Sequence, residues 1–376
     1  MTDPSWSEAR DLARASLPRG EIISVTLAGA VGAVATEDLR ALGPIPRAAT
    51  SAMDGWAVCG PAPWHLDSGD DPLSPGRARP IVTGAVPPDG TDAVVPSEWG
   101  RVSGDVLHAE RPPPGRHVRP AGEEAQEGDV LVPAGRLLTP ARLGVLAMTG
   151  HDRVDVRRAP LVHLVVTGDE LVPSGLPQPG HVRDVMTPML PPMLSALGAK
   201  VARLDHVRDD PRALAAKVAA GDADLVITAG GTGHSTADPI DGAWERADVD
   251  VRFRGVDMRP GHPVSLAVLP DGRPWLALPG NPLAAMLTAL SFVPALVEGF
   301  TGATSVEPVW AVANEAFDGR ADTTLVPARH TAAGLVPVGR SRPHLLTALA
   351  GADVVAIVPR GGIGPGDPVA VLPRSW

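Results

Sequence analysis

The stretch from residue 161 to residue 282 constrains the fold most, because apolar strand-like runs and helix-like segments alternate along it. Residues 161–166 form an apolar run suited to a buried parallel strand, residues 185–197 read as a helix, 199–204 as a strand, and 211–220 as a helix. Residues 224–228 make the next strand and end in glycines, and a further strand lies around 275–277. Strand and helix in regular alternation predict an α/β, doubly wound sheet, whose ligands sit where the strand C-termini meet the following loops.

The flanking sequence has a different texture. Residues 7–17 read as an amphipathic helix and residues 28–40 as a second helical stretch, ending before Gly43-Pro44-Ile45-Pro46. Between residues 56 and 132 short Val/Leu runs alternate with Pro/Gly/Asp turns, which predicts small antiparallel sheets or a barrel-like module, with a loop over 72–80. Residues 139–148 are helical again and lead into a linker at 157–160. From residue 307 the chain returns to short strands and turns, and no internal repeat is visible. A length of 376 residues exceeds one core and implies two to four domains. The 41 glycines and 42 prolines fit many turns and short elements.

Composition excludes several classes of function. A net charge of -10 argues against a nonspecific nucleic-acid binder, which needs a basic surface. No run of about 18 apolar residues suggests a membrane span. Residues 1–10 lack the basic start and apolar core of a signal peptide, so a cytoplasmic protein with no membrane or nucleic-acid partner is expected. The single cysteine, Cys59, can form neither an intrachain disulfide nor a CxxC knuckle, and inert packing is its expected role.

Three loops that follow predicted parallel strands carry glycine, the first two together with acid: Thr167-Gly168-Asp169-Glu170, then Gly230-Gly231-Thr232-Gly233-His234-Ser235 with Asp238, then Leu278-Pro279-Gly280-Asn281-Pro282. In a doubly wound sheet they line one crevice. Glycines there let backbone N–H groups approach a phosphate or another oxyanion, and a following helix N-terminus adds positive potential. A lone Gly-Gly pair is ordinarily just a tight turn; three such loops in one sheet favour a ligand site. Acids beside an anion repel it unless a divalent cation intervenes, so Glu170, Asp209, Asp210 and Asp238 are candidates for Mg²⁺ coordination or proton transfer. Helix capping competes for Asp210 and Asp238, since each precedes a proline. The turn Met258-Arg259-Pro260-Gly261-His262-Pro263 offers cationic donors, with a solvated arginine as the plain alternative. His262 has no second histidine at metal-ligand spacing. Asp54-Gly55 reads as a turn between strands, residues 81–85 and 92–95 as a hairpin, and Val118-Arg119 with Gly122-Glu123-Glu124 as an ordinary charged loop.

Taken in order, these segments resemble the molybdopterin molybdenumtransferase family, which includes bacterial MoeA and the E domain of gephyrin. SAMDGWAV is similar to the family's SAMDGYAV, IVTGAVPPDGTDAVVPSE to TGAPxPxGADAVVxxE, and VRPAGEE to VRxxGED, while TGDELV and LPGNP match as they stand. Arg183-Asp184 and Val207-Arg208-Asp209-Asp210-Pro211 also fit. The resemblance implies an elongated N-terminal region in two parts (1–50 and 119–158), an inserted β-rich domain (51–118), a parallel-sheet molybdopterin-binding α/β domain (159–304) and a C-terminal β domain (305–376). It implies a homodimer whose cleft lies between the α/β domain of one subunit and the N-terminal regions of the other. It further implies insertion of molybdate into adenylylated molybdopterin, with Mg²⁺ and release of AMP.

Position by position, the resemblance puts catalytic roles on Asp54, Glu170, Asp209 and Asp238, the last three also as metal ligands. Substrate binding falls to Thr83, Glu124, Thr167, Gly168, Asp169, Gly230, Gly231, Thr232, Arg259, His262, Pro279, Gly280, Asn281 and Ser341. The chain departs from the family in four places. GGVSVGxxD becomes GGTGHSTAD; in FxKVxMKPGKP the three lysines become Gly255, Arg259 and His262; RDSN becomes Arg183-Asp184-Val185-Met186; and the GED aspartate becomes Glu124. A pterin-binding paralogue with altered chemistry is therefore the alternative to an active transferase, and a protein-binding scaffold a third reading. A nucleotide-dependent oxidoreductase is set aside because no GxGxxG follows a predicted strand.

Overall fold

The α/β sheet is built as its sequence pattern requires. In the computed structural model, which describes residues 3–230, 239–305, 308–339 and 345–372, its elements are β1 (Leu161–Thr167), α1 (Met186–Ala196), β2 (Lys200–Val207), α2 (Pro211–Ala219), β3 (Leu225–Ala229), α3 (Pro239–Ala247), β4 (Asp250–Arg254), β5 (Ser265–Val268), β6 (Pro274–Leu278) and α4 (Pro282–Thr301). The strand order is β2-β1-β3-β6-β5-β4. β2, β1, β3 and β6 run parallel, and β5 and β4 close the far edge antiparallel. Every residue of β3 and β6 is buried, because helices cover both faces and a central parallel strand has no solvent side. Val165, Val226 and Trp275 pack on one face against Leu214 and Val218 of α2 and Trp244 of α3. Leu164, Ile227 and Leu276 pack on the other face against Leu190 of α1 and Leu287 and Phe292 of α4.

Local chemistry starts the helices. Asp210 accepts the Arg212 N–H at 2.9 Å and Pro211 occupies the first turn of α2, so the capping role holds for Asp210. Asp184 accepts the N–H groups of Met186 and Thr187 at 2.9 and 3.1 Å and so opens α1. Helix α4 corrects the expectation that no segment is apolar enough to span a membrane. Its 20 residues have a mean hydropathy of 1.7 over the most apolar window, and 78% of that window is buried within the protein. It is apolar on nearly all sides because the sheet covers one flank and the N-terminal helix Trp6–Ala15 another. Gly299 permits that crossing, since a Cβ there would lie 2.1 Å from the Arg14 carbonyl oxygen.

The N-terminal half departs further from local expectation. Residues 28–40 are not helical: a short 3₁₀ turn, Leu27–Ala30, is capped by Thr26, and strands Val34–Ala35 and Leu39–Arg40 follow. Gly32 in a left-handed conformation breaks the helical path, and the strands find distant partners instead. Strand Arg153–Arg157 pairs with both Ile22–Thr26 and Val34–Ala35, so segments on either side of the β-rich insertion form one small sheet. The insertion is a six-stranded sheet ordered Ala93–Pro96, Gly55–Cys59, Arg77–Ile81, Trp64–Leu66, Val106–His108, Arg101–Ser103. The hairpin expected from 81–85 and 92–95 does not form, because the strands at those positions flank Gly55–Cys59 on opposite sides. The expected loop over 72–80 ends in the strand Arg77–Ile81, which gains ladders on both sides despite its polar sequence. Cys59 is buried, and that burial pushes its thiol pKa up, in keeping with a packing role.

The C-terminal part is a β-sheet ordered Met258–Arg259, Thr323–Thr331, Val354–Val358, Pro368–Leu372, Val309–Val312, with Gly334–Pro337 added on Thr323–Thr331. Met258–Arg259 belongs to the α/β stretch in sequence, so its parallel pairing with Thr323–Thr324 ties the basic turn to this sheet.

Candidate functional site

The loops after β1, β3 and β6 meet at one point. The Gly230 N–H donates to the Leu278 carbonyl at 3.3 Å. A Cβ on Gly230 would lie 2.5 Å from the Thr167 carbonyl oxygen, and one on Gly280 would lie 3.6 Å from the Gly230 Cα. Thr167, Gly230, Pro279 and Gly280 thus form a floor of nearly bare backbone at the C-terminal edge of the sheet. The Thr167 hydroxyl oxygen is buried there with no hydrogen-bond partner among the described residues. Helix α4 starts immediately beyond. Asn281 stands at its N-cap without a side-chain capping bond, and Pro282 follows, so the next backbone amides lack acceptors within the helix. Open amides and a helix N-terminus make a polarised seat for an anion.

The acidic residues lie beside this floor on the adjacent parallel strands. The Asp169 N–H donates to Asp209 Oδ2 at 3.3 Å, and Arg208 Nε donates to Asp169 Oδ1 at 3.1 Å, so the loops after β1 and β2 are latched together. With His206, Asp210 and Lys217 they line an open cavity of about 540 Å³. Glu170 is exposed and turns back over Gly168, its Oε2 lying 2.9 Å from where a Gly168 Cβ would stand. Among the described residues no three His, Cys, Asp or Glu side chains come together as a metal cluster. Asp238, Gly231, Thr232 and Ser341 lie outside the described residues.

The basic turn sits against the start of α4: a Cβ on Gly261 would lie 2.4 Å from Thr288 Cγ2 and 3.8 Å from the Ala284 carbonyl oxygen. Neither Arg259 nor His262 is a simple solvated group. Arg259 Nε donates to Asp322 Oδ2 at 2.7 Å, and His262 Nε2 lies 2.9 Å from Asp3 Oδ2. Nothing in the sequence singled out Asp322 or Asp3; the first comes from the C-terminal sheet and the second from the N-terminal arm. The glycine at 255 has a physical reason. Its φ is +84°, and a Cβ there would meet Asp3 Oδ1 at 3.3 Å, so a lysine at this position is disfavoured by backbone and neighbour alike.

A second group of predicted residues lies in the N-terminal half. Asp54 Oδ1 accepts the Thr83 N–H at 2.6 Å and the Asp54 carbonyl accepts the Ser97 N–H at 2.9 Å, so the SAMDG and TGA segments are fastened to each other. The Thr83 hydrogen bonds hold the Asp54 carboxyl below its ordinary pKa. Glu124 is exposed on a loop fixed by its own N–H to the Ile45 carbonyl at 2.9 Å. Among the described residues, no hydrogen bond or ion pair joins Asp54, Thr83 or Glu124 to the crevice.

Two family profiles cover most of the chain. That of the "MoeA N-terminal region (domain I and II)" matches residues 4–150, and that of the "Probable molybdopterin binding domain" matches residues 163–298. The molybdopterin molybdenumtransferase of a Nostoc species is 33% identical over 317 residues, spanning 80% of this chain and 73% of its own length. The chain belongs to the MoeA family. A second member, the molybdopterin molybdenumtransferase of Staphylococcus aureus, is 29% identical over 373 residues, 91% of this chain and 88% of its own. Two solved structures of MoeA molybdopterin biosynthesis proteins from Pyrococcus horikoshii share the fold. One, at a TM-score of 0.76 and 24% identity, covers 100% of both chains. The other, at 0.83 and 20% identity, covers 99% of this chain and 100% of its own. The α/β multidomain architecture is thus that of the family along the whole chain, including the stretches where local sequence pointed elsewhere.

Proposed function

We propose that this MoeA-family chain acts in molybdenum cofactor biosynthesis as a molybdopterin molybdenumtransferase, inserting molybdate into adenylylated molybdopterin with release of AMP. The observation that carries the reading is the meeting of Thr167, Gly230 and Gly280 beside the uncapped start of α4. Bare backbone next to a helix N-terminus suits the phosphates of the pterin nucleotide. In this reading Thr167, Gly168, Asp169, Gly230, Pro279, Gly280 and Asn281, with Gly231 and Thr232, hold that substrate, and Arg259, His262 and Ser341 face the oxyanion. Glu170 and Asp209, together with Asp238, would hold Mg²⁺; their carboxylate oxygens are the hard donors this ion takes, and it would offset charge between acids and anion. Asp54, Thr83 and Glu124 would complete the cleft of a second subunit in a homodimer, which accounts for the absence, among the described residues, of hydrogen bonds or ion pairs from them to the crevice of their own chain. The domain limits proposed are 1–50, 51–118, 119–158, 159–304 and 305–376, and the compartment is the cytoplasm.

The decisive experiment supplies adenylylated molybdopterin, molybdate and Mg²⁺ and follows AMP. The expected result is molybdate-dependent AMP release, reduced at least tenfold in Asp209→Ala and in Asp54→Ala, with a dimer mass by light scattering. Tight pterin binding without AMP release would establish the altered paralogue instead, and a monomer mass with full activity would remove Asp54, Thr83 and Glu124 from the site.

A further inference from the structure

Arg259 and Asp322 come from different parts of the chain and meet across a sheet junction. Asp322 directly precedes the strand Thr323–Thr331, whose first residues pair with Met258 and Arg259 in the register Met258↔Thr323 and Arg259↔Thr324. Backbone pairing therefore fixes both partners before either side chain acts. The acid is the buried member, with 8% of its side chain exposed, while the Arg259 side chain is 55% exposed. The bond runs from Arg259 Nε to Asp322 Oδ2, and the terminal NH₂ groups of Arg259 make no hydrogen bond to any described residue. Asp322 Oδ1 is buried with no hydrogen-bond partner among the described residues. A buried carboxylate with spare acceptor capacity binds its one cationic partner firmly, because losing it leaves an uncompensated charge. An arginine tethered at Nε has its plane set while its outer two nitrogens remain a planar fork.

We propose that Asp322 is a positioning residue for oxyanion capture, setting the Arg259 guanidinium so that its two NH₂ groups form a fork for a tetrahedral oxyanion beside the start of α4. The proposal rests on the transferase reading above and deepens it. It gives the C-terminal sheet a part in the site, and it calls for an arginine at position 259, since a lysine has no Nε–H donor behind a free fork. The oxyanion is molybdate or the phosphate of the nucleotide, and the test separates them.

The variants are Asp322→Ala, Asp322→Asn and Arg259→Lys in the full-length chain, assayed for AMP release with molybdate and adenylylated molybdopterin varied in turn. Binding of molybdate alone and of AMP alone is measured by calorimetry. Asparagine keeps an oxygen acceptor for Nε; alanine does not. Asp322→Ala is expected to raise KM for one of the two anions about tenfold, the effect of one charge-assisted hydrogen bond, with a much smaller fall in kcat. Asp322→Asn should recover most of that loss, and Arg259→Lys should reproduce it with Asp322 intact. A rise confined to molybdate names molybdate as the ligand, and a rise confined to the nucleotide names its phosphate. If both KM values and both calorimetric affinities stay at the parent level while the melting temperature falls, Asp322 is only a strap between sheets and the proposal is overturned. If the parent protein releases no AMP, the transferase reading fails by itself, and the calorimetric comparison of parent with Asp322→Ala still decides whether the fork exists.

Discussion

Gly230 and Gly280 sit side by side on the crevice floor, yet the structure assigns them different work, and alanine at each position separates the two. At Gly230 φ is +109°, a conformation that L side chains rarely adopt, and the new methyl would lie 2.5 Å from the Thr167 carbonyl oxygen and 2.7 Å from its hydroxyl. Backbone strain of about 1–3 kcal/mol and overpacking of about 1–3 kcal/mol act together there. Neither is easily relieved, because the obstructing atom is backbone at the end of a central strand. Gly230→Ala should therefore destabilise the protein by roughly 2–5 kcal/mol, a melting shift on the order of 5–15 °C. At Gly280 the methyl's nearest neighbour among the described residues is the Gly230 Cα at 3.6 Å, an ordinary contact, and φ lies outside the left-handed range. Gly280→Ala should melt within about 1 °C of the parent, the usual span for a surface change. Its methyl would nonetheless stand where the pterin nucleotide must approach backbone, so nucleotide KM should rise tenfold or more. Calorimetric melting and AMP-release kinetics on both variants test this. Equal melting of Gly230→Ala and parent would refute the strain argument, and unchanged nucleotide KM in Gly280→Ala would remove the floor from the binding site.

Three further outcomes follow from the same geometry. Gly299→Ala forces a methyl to within 2.1 Å of the Arg14 carbonyl oxygen, so the N-terminal helix must shift on α4 at a cost of about 1–3 kcal/mol; urea unfolding would detect it, and parent-like stability would show that the crossing is loose. Burial works against ionisation of Asp184, but hydrogen bonds from Thr187, His206 and Met186 outweigh it and hold its pKa below the ordinary carboxyl value. Its contribution is therefore present above the unfolded-state pKa of about 3.9 and is lost as pH falls through the lower folded value; the stability gap between parent and Asp184→Asn should shrink below pH 4 and not between pH 5 and 8. Asp3→Asn keeps a polar partner for His262 but removes a negative charge from the basic turn, so molybdate should bind severalfold more tightly at low salt; unchanged calorimetric affinity would mean that the N-terminal arm plays no part in anion capture.

Legibility in the sequence followed the range of the forces involved. The crevice loops could be read because each glycine-rich turn is announced by the apolar strand before it, and Asp210 could be read as a cap because the proline that needs it is the next residue. Residues 28–40 misled because alanine and leucine favour helix locally, while the actual partners of this stretch lie ninety or more residues away, at Arg153–Arg157 and Val130–Val132. The hairpin expected from 81–95 failed for the same reason: strand pairing is a choice among all available edges, and the edges of Gly55–Cys59 were the better ones.

By itself, then, the sequence determined the alternation that makes a doubly wound sheet, the positions of the glycine-opened loops at its C-terminal edge, and the ordered motifs that mark the family. Those are properties of neighbouring residues, fixed by periodicity and by backbone freedom at single positions. Tertiary structure alone decided which acids face the basic turn. In sequence Arg259 was its permanent charge with His262 beside it, and only folding brought Asp322 to one and Asp3 to the other, across 63 and 259 residues. Charge acts through space and not along the chain, so the electrostatics of this crevice became visible only when the C-terminal sheet and the N-terminal arm were in place.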